Sequence, residues 1–545
     1  MKQYLRIHPS DTVLVALQPL TKGMELHIDG DTFPLLTDIP AGHKCALKDH
    51  AEGENVIKYG FPIGHTLHAV KKGALLDHND LHTNLSGTLD YSHLSPASPD
   101  IRPSTLTPTS PAEFGSTSPT SPADFGPTTP TASADLAPTF LAYPRPDGQV
   151  GIRNEVWVIP TVGCVNGIIQ QIIHRVLAEF GQNTPTAPTA PSSEFGQNIP
   201  GIDGIHPFPH NYGCSQLSGD HENTRKILRD MVHHPNAGAI LVVGLGCENN
   251  QPHLFEQYCG DYNRDRVKFM VCQEVEGDEV EYGAQLLKEL IHKAQQDRRQ
   301  PVPLSKLRIG LKCGGSDGFS GITANPLLGA FSDYLCLSQG GTTVLTEVPE
   351  MFGTETLLMQ RCASQELLQQ TIALINDFKE YFLSHGEPCG ENPSPGNKAG
   401  GISTLEEKAL GCTQKSGSSP VRGVLSYGDR LERTGLHLLS APGNDLVAST
   451  ALAAAGCQLI LFTTGRGTPF GTFVPTVKVS TNSQLAHRKP HWIDFDAGPL
   501  LEDHTMDQLL PQFIQTILDV ASGQLTASER AHIHDLAIFK TGVTL

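Results

Sequence analysis

The sequence predicts an α/β multidomain protein with a small, mostly β N-terminal domain and two further α/β domains whose sheets are largely parallel. Three observations support this fold class. The chain of 545 residues is too long for one compact core. Short β segments fill its first 94 residues, whereas strand-like runs alternate with helical segments after residue 140. A stretch rich in Pro, Ser and Thr separates the two patterns.

The N-terminal domain, residues 1–94, is predicted from short β segments with turn residues between them. Asp-Gly and Lys-Gly turns bound these segments, which suggests hairpins of a mostly β module. The predicted segments are Asp11–Leu17, Glu25–Ile28, His43–Leu47 and Val56–Tyr59.

Residues 95–139 are predicted to form a disordered linker, because they contain too few apolar residues to build a core. The unit SPAEFG at Ser110–Gly115 recurs as SPADFG at Ser121–Gly126. A shorter copy, SEFG, lies in a second low-complexity insert at residues 184–200. The shared unit indicates a repetitive insertion in exposed loops, with two unrelated linkers of similar composition as the alternative.

The rest of the chain is predicted to form two α/β domains, a central one at residues 140–297 and a C-terminal one at residues 304–545. Alternating strands and helices are typical of parallel sheets. The predicted strands are Val156–Val162, Ala239–Val243, Val267–Cys272, Leu307–Leu311, Thr342–Leu345, Leu436–Leu439 and Gln458–Thr463. The predicted helices are Gly167–Phe180, Asn223–Val232, Glu279–Ala294, Glu366–His385, Leu446–Ala455 and Asp507–Ala521.

Charge and hydropathy exclude several classes of function. A formal charge of −18 argues against a nucleic-acid-binding surface or a basic membrane patch. No apolar run approaches the roughly 20 residues that span a bilayer, and the N-terminus lacks a signal-peptide core. We therefore expect a cytoplasmic protein that binds neither nucleic acid nor membrane, with its 12 cysteines reduced.

Several predicted strands are followed by a glycine–cysteine step, which places thiols where α/β sheets bind ligands. Cys214 and Cys247 stand in two of these steps. Thiolates there could bind a transition metal, although each cysteine could equally be a small buried residue under a helix. His78 and His210 are histidines whose neighbouring acidic or amide groups could orient a ring.

Three polar, glycine-rich loops are suited to a small, hydroxylated anion; in chain order they are residues 312–325, 391–401 and 464–472. They lack the glycine spacing of a dinucleotide or P-loop site. Their glycines permit close approach of the backbone, and their side chains offer cations, donors and acceptors for a carboxylate and hydroxyl groups. The candidate substrate-binding residues are Ser316, Asp317, Asn325, Lys398, Arg466, Lys478 and Asn482.

Taken together, these motifs resemble the altronate/galactarate dehydratase family. The matching segments cover nearly the whole chain outside the two inserts. They are Thr161–Asn166 (TVGCVN), His210–Gln216 (HNYGCSQ), Gly244–Asn250 (GLGCENN), Lys312–Gly318 (KCGGSDG), Thr346–Phe352 (TEVPEMF), Asn392–Lys398 (NPSPGNK) and Thr464–Pro469 (TGRGTP).

The resemblance implies an N-terminal β-clip domain of the SAF type and a metal-dependent hydro-lyase of hexuronate catabolism. The implied reaction converts D-altronate into 2-dehydro-3-deoxy-D-gluconate and water, with Fe²⁺, or Mn²⁺ as the alternative. Our hypothesis assigns the metal to His78, Cys214 and Cys247. It assigns the general base to His210 or Lys312, because a base must remove the proton at C2.

Other functions stay open on the sequence alone. Galactarate dehydratase and a sulfolactate-type lyase are the alternatives within the family. A non-catalytic sugar-acid-binding protein is the alternative from a different class, and it would bind its ligand without metal and without forming product. A homo-oligomer is expected if the tethered N-terminal module contributes to a partner's site.

Overall fold

A computed structural model describes residues 2–91, 94–95, 138–182, 199–390 and 392–545, with the side chains of 181 and 182 left out. The predicted linker therefore lies outside the described residues except at its ends, 95 and 138–139, and so does the predicted insert except for 199–200. The fold class is confirmed: a β module precedes two regions that contain parallel sheets.

The N-terminal module contains small antiparallel sheets. Its strands pair in the orders β1-β2-β5-β8, β3-β4 and β6-β7-β9, and their buried apolar faces form two small cores. The strands are β1 (Tyr4–Leu5), β2 (Val13–Ala16), β3 (Glu25–Ile28), β4 (Asp31–Pro34), β5 (Lys44–Ala46), β6 (Asn55–Lys58), β7 (Phe61–Thr66), β8 (Leu75–Leu76) and β9 (Leu81–His82).

The central region is built on a parallel four-stranded sheet with the order β13-β12-β14-β15. Its strands are β12 (Glu155–Pro160), β13 (Gly204–Pro207), β14 (Ala237–Gly244) and β15 (Val267–Val271). Its helices are α1 (Asn166–Gln182), α2 (Ser218–Val232), α3 (Pro252–Tyr258) and α4 (Glu279–Ala294). An antiparallel sheet beside it pairs β10 (Thr139–Pro144) with β11 (Val150–Gly151) and β16 (Gln300–Pro303).

The C-terminal region is built on a parallel sheet of seven strands in the order β19-β20-β18-β17-β21-β22-β23. Its strands are β17 (Arg308–Cys313), β18 (Thr342–Leu345), β19 (Val421–Leu425), β20 (Gly435–Leu439), β21 (Leu459–Thr464), β22 (Thr476–Ser480) and β23 (Phe495–Asp496). Its helices are α5 (Ala324–Asp333), α6 (Glu355–Met359), α7 (Gln365–Ser384), α8 (Pro395–Ala399), α9 (Leu405–Cys412), α10 (Asp445–Ala454), α11 (Ser483–Arg488), α12 (Met506–Ala521) and α13 (Ala527–Arg530).

The two parallel sheets share an apolar core, in which α2 packs against α10. A buried hydrogen bond also joins the two sheets near the N-terminal ends of their strands. The Asn236 side-chain amide donates it to the carbonyl of Gln458 at 2.9 Å. No helix in the described ranges is both long and apolar enough to cross a bilayer.

The N-terminal module docks on the C-terminal region through closely approaching backbones. The N–H of Gly318 donates to the carbonyl of Gly400 at 2.8 Å, and Gly42 of the module lies directly against this pair. A Cβ at Gly318 would lie 1.9 Å from the carbonyl oxygen of Gly42, far inside van der Waals contact. Only glycine at this position permits the observed docking.

We expect Gly318→Ala to weaken this docking, because the added methyl group must push the Gly42 backbone away. Overpacking of this kind costs about 1–3 kcal/mol. Thermal unfolding and limited proteolysis should show a lower midpoint and faster cleavage within the module. Gly219→Ala is the matched control, since Gly219 is exposed with open space around it. Equal stability of the two variants would contradict the tight approach.

Candidate active site

A buried lysine at the C-terminal end of β17 organises the charged site. The Lys312 ammonium donates to Glu347, to Asp445 Oδ1 at 2.8 Å and to the carbonyl of Cys313 at 2.8 Å. Burial alone would lower the pKa of Lys312, but the two carboxylates outweigh it and hold the pKa above its ordinary value. Lys312 therefore stays a cation at neutral pH.

Glu347 follows β18, the neighbouring strand, and is held in a strained conformation. Its φ of 68° lies in the left-handed region, which a non-glycine residue adopts at a cost of about 1–3 kcal/mol. Its carboxylate accepts hydrogen bonds from Lys312, from Lys415 Nζ at 3.1 Å and from the N–H of Cys313 at 3.2 Å. The strain is thus maintained by a buried network of charges, as is common at active sites.

Next to this network, Cys313, Glu350 and Cys412 form a buried group that could hold a metal ion. Of the residues that the structure describes, only these place three such ligand atoms within 4.8 Å of one another. The two sulfur atoms are 3.2 Å apart, and Cys313 Sγ lies 3.2 Å from Glu350 Oε2. Lys415 Nζ lies 2.7 Å from Cys313 Sγ, and Lys408 Nζ lies 2.7 Å from Glu350 Oε1.

The lysines decide the protonation of this group. Burial would raise the pKa of Glu350, but Lys408, Lys312 and Lys415 outweigh burial and hold the pKa well below its usual range. The hydrogen bond between the Cys412 and Cys313 thiols, together with burial, raises the pKa of Cys412. The group therefore contains an ionised carboxylate and a thiol that needs a strong electrophile, such as a metal ion, before it gives up its proton.

The N-terminal module adds two lysines to the same region. Lys44 Nζ and Lys58 Nζ lie 2.8 and 2.7 Å from the Glu407 carboxylate on α9, and all three groups are buried. Burial raises the pKa of Glu407, but the two ammonium groups outweigh it and lower the pKa to about 2. Burial also lowers the pKa of Lys44, since one carboxylate serves two cations.

A cavity of about 10 Å³ lies where the module meets the polar loops. Lys58 and Tyr59 of the module line it, together with Lys408 and Cys412 of the C-terminal region. Predicted substrate residues line it as well, namely Ser316, Asp317 and Asn325. The N-terminal module, the buried group of Cys313, Glu350 and Cys412, and the first polar loop therefore meet at this cavity.

Three of the predicted substrate residues hold the loops together. Asp317 accepts hydrogen bonds from Thr481 Oγ1 at 2.9 Å and from Asn482 Nδ2 at 3.1 Å. Asn482 also caps α11 through the N–H of Leu485. Asn325 is engaged at both ends, because it donates to the carbonyl of Gly411 and accepts from Thr463. These side chains position the first and third loops.

The remaining predicted substrate residues are more available to a ligand. Ser316 Oγ and Lys478 Nζ are buried with no hydrogen-bond partner among the described residues. Lys478 lies in register with Lys312 across Phe462, and burial lowers the pKa of its amine to about 8. Arg466, on the loop after β21, is exposed, and Lys398, on α8, is half-buried; Arg466 lies against Gly396 of the same helix.

The structure does not bring the other predicted residues to this site. His210 is buried below the four-stranded sheet's C-terminal edge, where its ring nitrogens meet the carbonyl of Pro160 and the N–H of Tyr212. Burial lowers its pKa to about 4. His78 is exposed beside Asp77, and Cys214 and Cys247 are exposed in the central region. These three do not form a compact ligand group in the described ranges.

Sequence reasoning missed the partners that surround Lys312. Glu347 and Glu350 lie in TEVPEMF, a segment used only for its resemblance. The only local signal was a pair of acidic residues directly after an apolar strand. Lys44, Lys58 and Lys415 carried no pattern that separates them from surface lysines.

Comparison with known proteins matches three family models in order along the chain. These are the altronate/galactarate dehydratase SAF domain at residues 2–84, the D-galactarate dehydratase/altronate hydrolase second domain at 142–295, and the D-galactarate/altronate dehydratase C-terminal model at 304–544. The resemblance seen in the motifs is confirmed.

Curated relatives match over their whole length. The chain is 51% identical to altronate dehydratase of Escherichia coli strain K12 and 51% identical to altronate dehydratase of Bacillus subtilis strain 168, with 100% of both chains covered in each case. It is 30% identical to galactarate dehydratase (L-threo-forming) of Escherichia coli, over 98% of this chain and 96% of that protein.

We expect Glu407→Gln to destabilise the chain in a pH-dependent way. Because the pKa of Glu407 falls from 4.5 to about 2 on folding, its contribution is complete above pH 4.5 and is lost as the pH falls toward 2. The variant should lose about 3 kcal/mol at neutral pH, and its deficit relative to the native chain should shrink on acidification. Urea unfolding across this range measures both.

Glu366→Gln serves as the control for the Glu407 experiment, since Glu366 is an exposed residue in the first turn of α7. Its deficit should be small. A deficit of Glu407→Gln that does not change between neutral pH and about pH 3 would contradict the assigned ion pairs.

Proposed function

Since the chain belongs to the altronate/galactarate dehydratase family, we propose that it is a hydro-lyase that converts D-altronate into 2-dehydro-3-deoxy-D-gluconate. The observation that carries this proposal is the 51% identity to two altronate dehydratases over their full length, against 30% for a galactarate dehydratase. The cellular role in this proposal is hexuronate catabolism in the cytoplasm. The N-terminal module docks on its own chain, and the homo-oligomer stays a prediction.

The central difficulty of this reaction is removal of the C2 proton beside a carboxylate. The resulting enediolate carries two negative charges, so the site must supply positive charge before the proton leaves. Lys312 meets this requirement, because two carboxylates keep it protonated and fix its position. Because its pKa is raised, Lys312 stays protonated and cannot accept the C2 proton, but it can stabilise negative charge on the substrate. Another group must therefore act as the general base.

We assign the general base to Asp445. Its carboxylate contacts Lys312, yet its side chain is 34% exposed, whereas that of Glu347 is fully buried. Asp445 begins α10 and lies against Gly314 of the first polar loop, where a substrate can approach. His210, the other predicted base, is engaged by backbone groups in the central region.

The substrate carboxylate in this proposal is held by Lys478 and Arg466, with Lys398 beside them. A buried ammonium without a hydrogen-bond partner is unfavourable, and an anionic ligand would remove that cost. Lys478 Nζ has no hydrogen-bond partner among the described residues, which supports this role. Ser316 Oγ, also unpartnered there, is suited to bind a substrate hydroxyl.

Cys313, Glu350 and Cys412 are the residues that fit a metal at this site. Two sulfur ligands and one carboxylate favour Fe²⁺ over Mn²⁺, which prefers oxygen ligands. Deprotonation of both thiols would balance the charge of a divalent ion beside three lysines and three carboxylates. When bound, Fe²⁺ would act as a Lewis acid that stabilises negative charge developing on the substrate.

The decisive experiment is an anaerobic assay of the purified full chain with D-altronate and with galactarate. After loading with Fe²⁺, we expect 2-dehydro-3-deoxy-D-gluconate from D-altronate in preference to product from galactarate. A chelator should abolish turnover, and Fe²⁺ should restore it better than Mn²⁺. Faster turnover of galactarate would contradict the substrate, and chelator-resistant turnover would contradict the metal.

We expect Asp445→Asn to lower kcat by roughly 10²- to 10⁴-fold, because the amide cannot accept the C2 proton. Stopped or coupled assays of product formation measure the loss, and solvent exchange of the C2 proton should slow in parallel. Asp507→Asn is the matched control: it is also an acidic residue in the first turn of a helix, and it is exposed on α12. Full activity of Asp445→Asn would exclude this base.

A further inference from the structure

The central region exposes an unusual set of thiols. All 12 cysteines of the chain are described, and only Cys164, Cys214 and Cys247 are exposed. Cysteine is among the residues most often buried, so exposure needs a reason. These three follow β12, β13 and β14, the three neighbouring strands of the four-stranded sheet, and therefore lie along one C-terminal edge.

Hydrogen bonds join the three loops into one unit. The N–H of Gly163 donates to the carbonyl of Tyr212 at 3.0 Å, which ties the loop of Cys164 to that of Cys214. The N–H of Asn250 donates to the carbonyl of Gly213 at 2.9 Å, which ties in the loop of Cys247. The Asn249 side chain also accepts from the N–H of Ser215 at 2.7 Å.

Glu248 links the loop after β14 to the end of β12 beneath the three cysteines. Its buried carboxylate accepts from Thr161 Oγ1 at 2.6 Å, from the N–H of Leu245 at 3.0 Å and from the N–H of Gly246 at 2.6 Å. The end of the chain adds a further tie, since the N–H of Leu545 donates to the carbonyl of Ser215 at 2.9 Å. Hydrogen bonds thus join the three loops, although their thiols are exposed.

The glycine that precedes each cysteine explains how the loops come so close. A Cβ at Gly213 would lie 2.1 Å from the carbonyl oxygen of Thr161, so no other residue fits there. Gly213 also has a φ of 94°, and Ser215 on the other side of Cys214 has a φ of 58°. The backbone thus adopts a strained turn at residues 213–215, and Cys214 at its centre is exposed to solvent.

We propose that Cys164, Cys214 and Cys247 hold an iron–sulfur cluster. The three ligand atoms do not all lie within 4.8 Å of one another, whereas a single ion with metal–sulfur bonds of about 2.3 Å requires such closeness. A cluster of several iron and sulfur atoms spans a wider set of thiols. A purely sulfur set is also the choice of iron–sulfur clusters rather than of Mg²⁺, Ca²⁺ or Mn²⁺.

This cluster site is separate from the buried Cys313 group, and it does not depend on D-altronate being the substrate. Three protein thiolates leave a cluster of four irons with one iron that has no protein ligand. That iron would face solvent and could take an oxygen ligand such as water or a carboxylate. The glycine–cysteine steps of the sequence thereby acquire a chemical reason.

The test is anaerobic reconstitution of the full chain with ferrous iron, sulfide and a thiol reductant. We expect bound iron together with acid-labile sulfide, a broad visible absorption band and an electron paramagnetic resonance signal in one redox state. Each of Cys164→Ser, Cys214→Ser and Cys247→Ser should lose the sulfide and the band. Circular dichroism and thermal unfolding should show that the variants remain folded.

Cys272→Ser is the matched control, because Cys272 follows β15 at the same edge but is half-buried, and burial raises the pKa of its thiol to about 11. It should keep the cluster, as should Cys313→Ser, which alters only the buried group. Reconstituted chain without labile sulfide would overturn the proposal, and so would loss of the cluster in Cys272→Ser or its retention in the three variants.

Measuring D-altronate turnover in the same samples separates this inference from the proposed function. A cluster in a chain that turns over no D-altronate would support the inference and refute the substrate. Turnover in a chain that assembles no cluster would do the opposite.

Discussion

The pairing of the buried Lys312 cation with carboxylates is the constraint on which the rest of the site depends. A lysine placed at the end of a buried parallel strand would be expelled or neutral without partners. Glu347 and Asp445 prevent this, and they come from the loop after β18 and from the start of α10. The ion pairs therefore require the order β18-β17-β21 and the seating of α10. Lys415 also donates a hydrogen bond to the buried Glu347 carboxylate. These interactions offset the conformational strain of the left-handed backbone at Glu347.

The N-terminal module is attached by the same kind of interaction, at a second carboxylate. Glu407 lies on α9, the helix that also ends at Cys412, and the next residue along, Lys408, neutralises Glu350. One short helix thus joins the module to the buried Cys313 group. Since breaking a buried pair costs far more than the pair gains, the module is held in one orientation. Its Lys58 and Tyr59 then line the cavity beside the first polar loop.

The sequence was sufficient for about half of the strands and α-helices and for the polar loops, because these depend on local patterns. The predicted helix Glu279–Ala294 and strand Thr342–Leu345 have the bounds that the structure shows. In the two parallel sheets the prediction omitted β13, β19, β22 and β23, which are short or contain polar residues such as Arg422 and Lys478. It also omitted the antiparallel strands β10, β11 and β16. The charge partners could not be predicted, since Glu347 and Asp445 lie 35 and 133 residues from Lys312 and strand order alone brings them together.

The polar residues of the loops fall into two groups: those whose side chains are hydrogen-bonded to neighbouring loops, and those whose polar atoms have no partner and can bind a ligand. Asp317, Asn325 and Asn482 resemble substrate ligands in sequence, yet their polar atoms are occupied by neighbouring loops. The polar atoms of Lys478 and Ser316, by contrast, are buried and have no hydrogen-bond partner among the described residues. An unsatisfied buried group costs about 1–3 kcal/mol, and a ligand that bonded to both of these side chains would remove that cost. Our proposal therefore assigns the anionic sugar acid to these two unsatisfied groups rather than to the side chains that are already hydrogen-bonded.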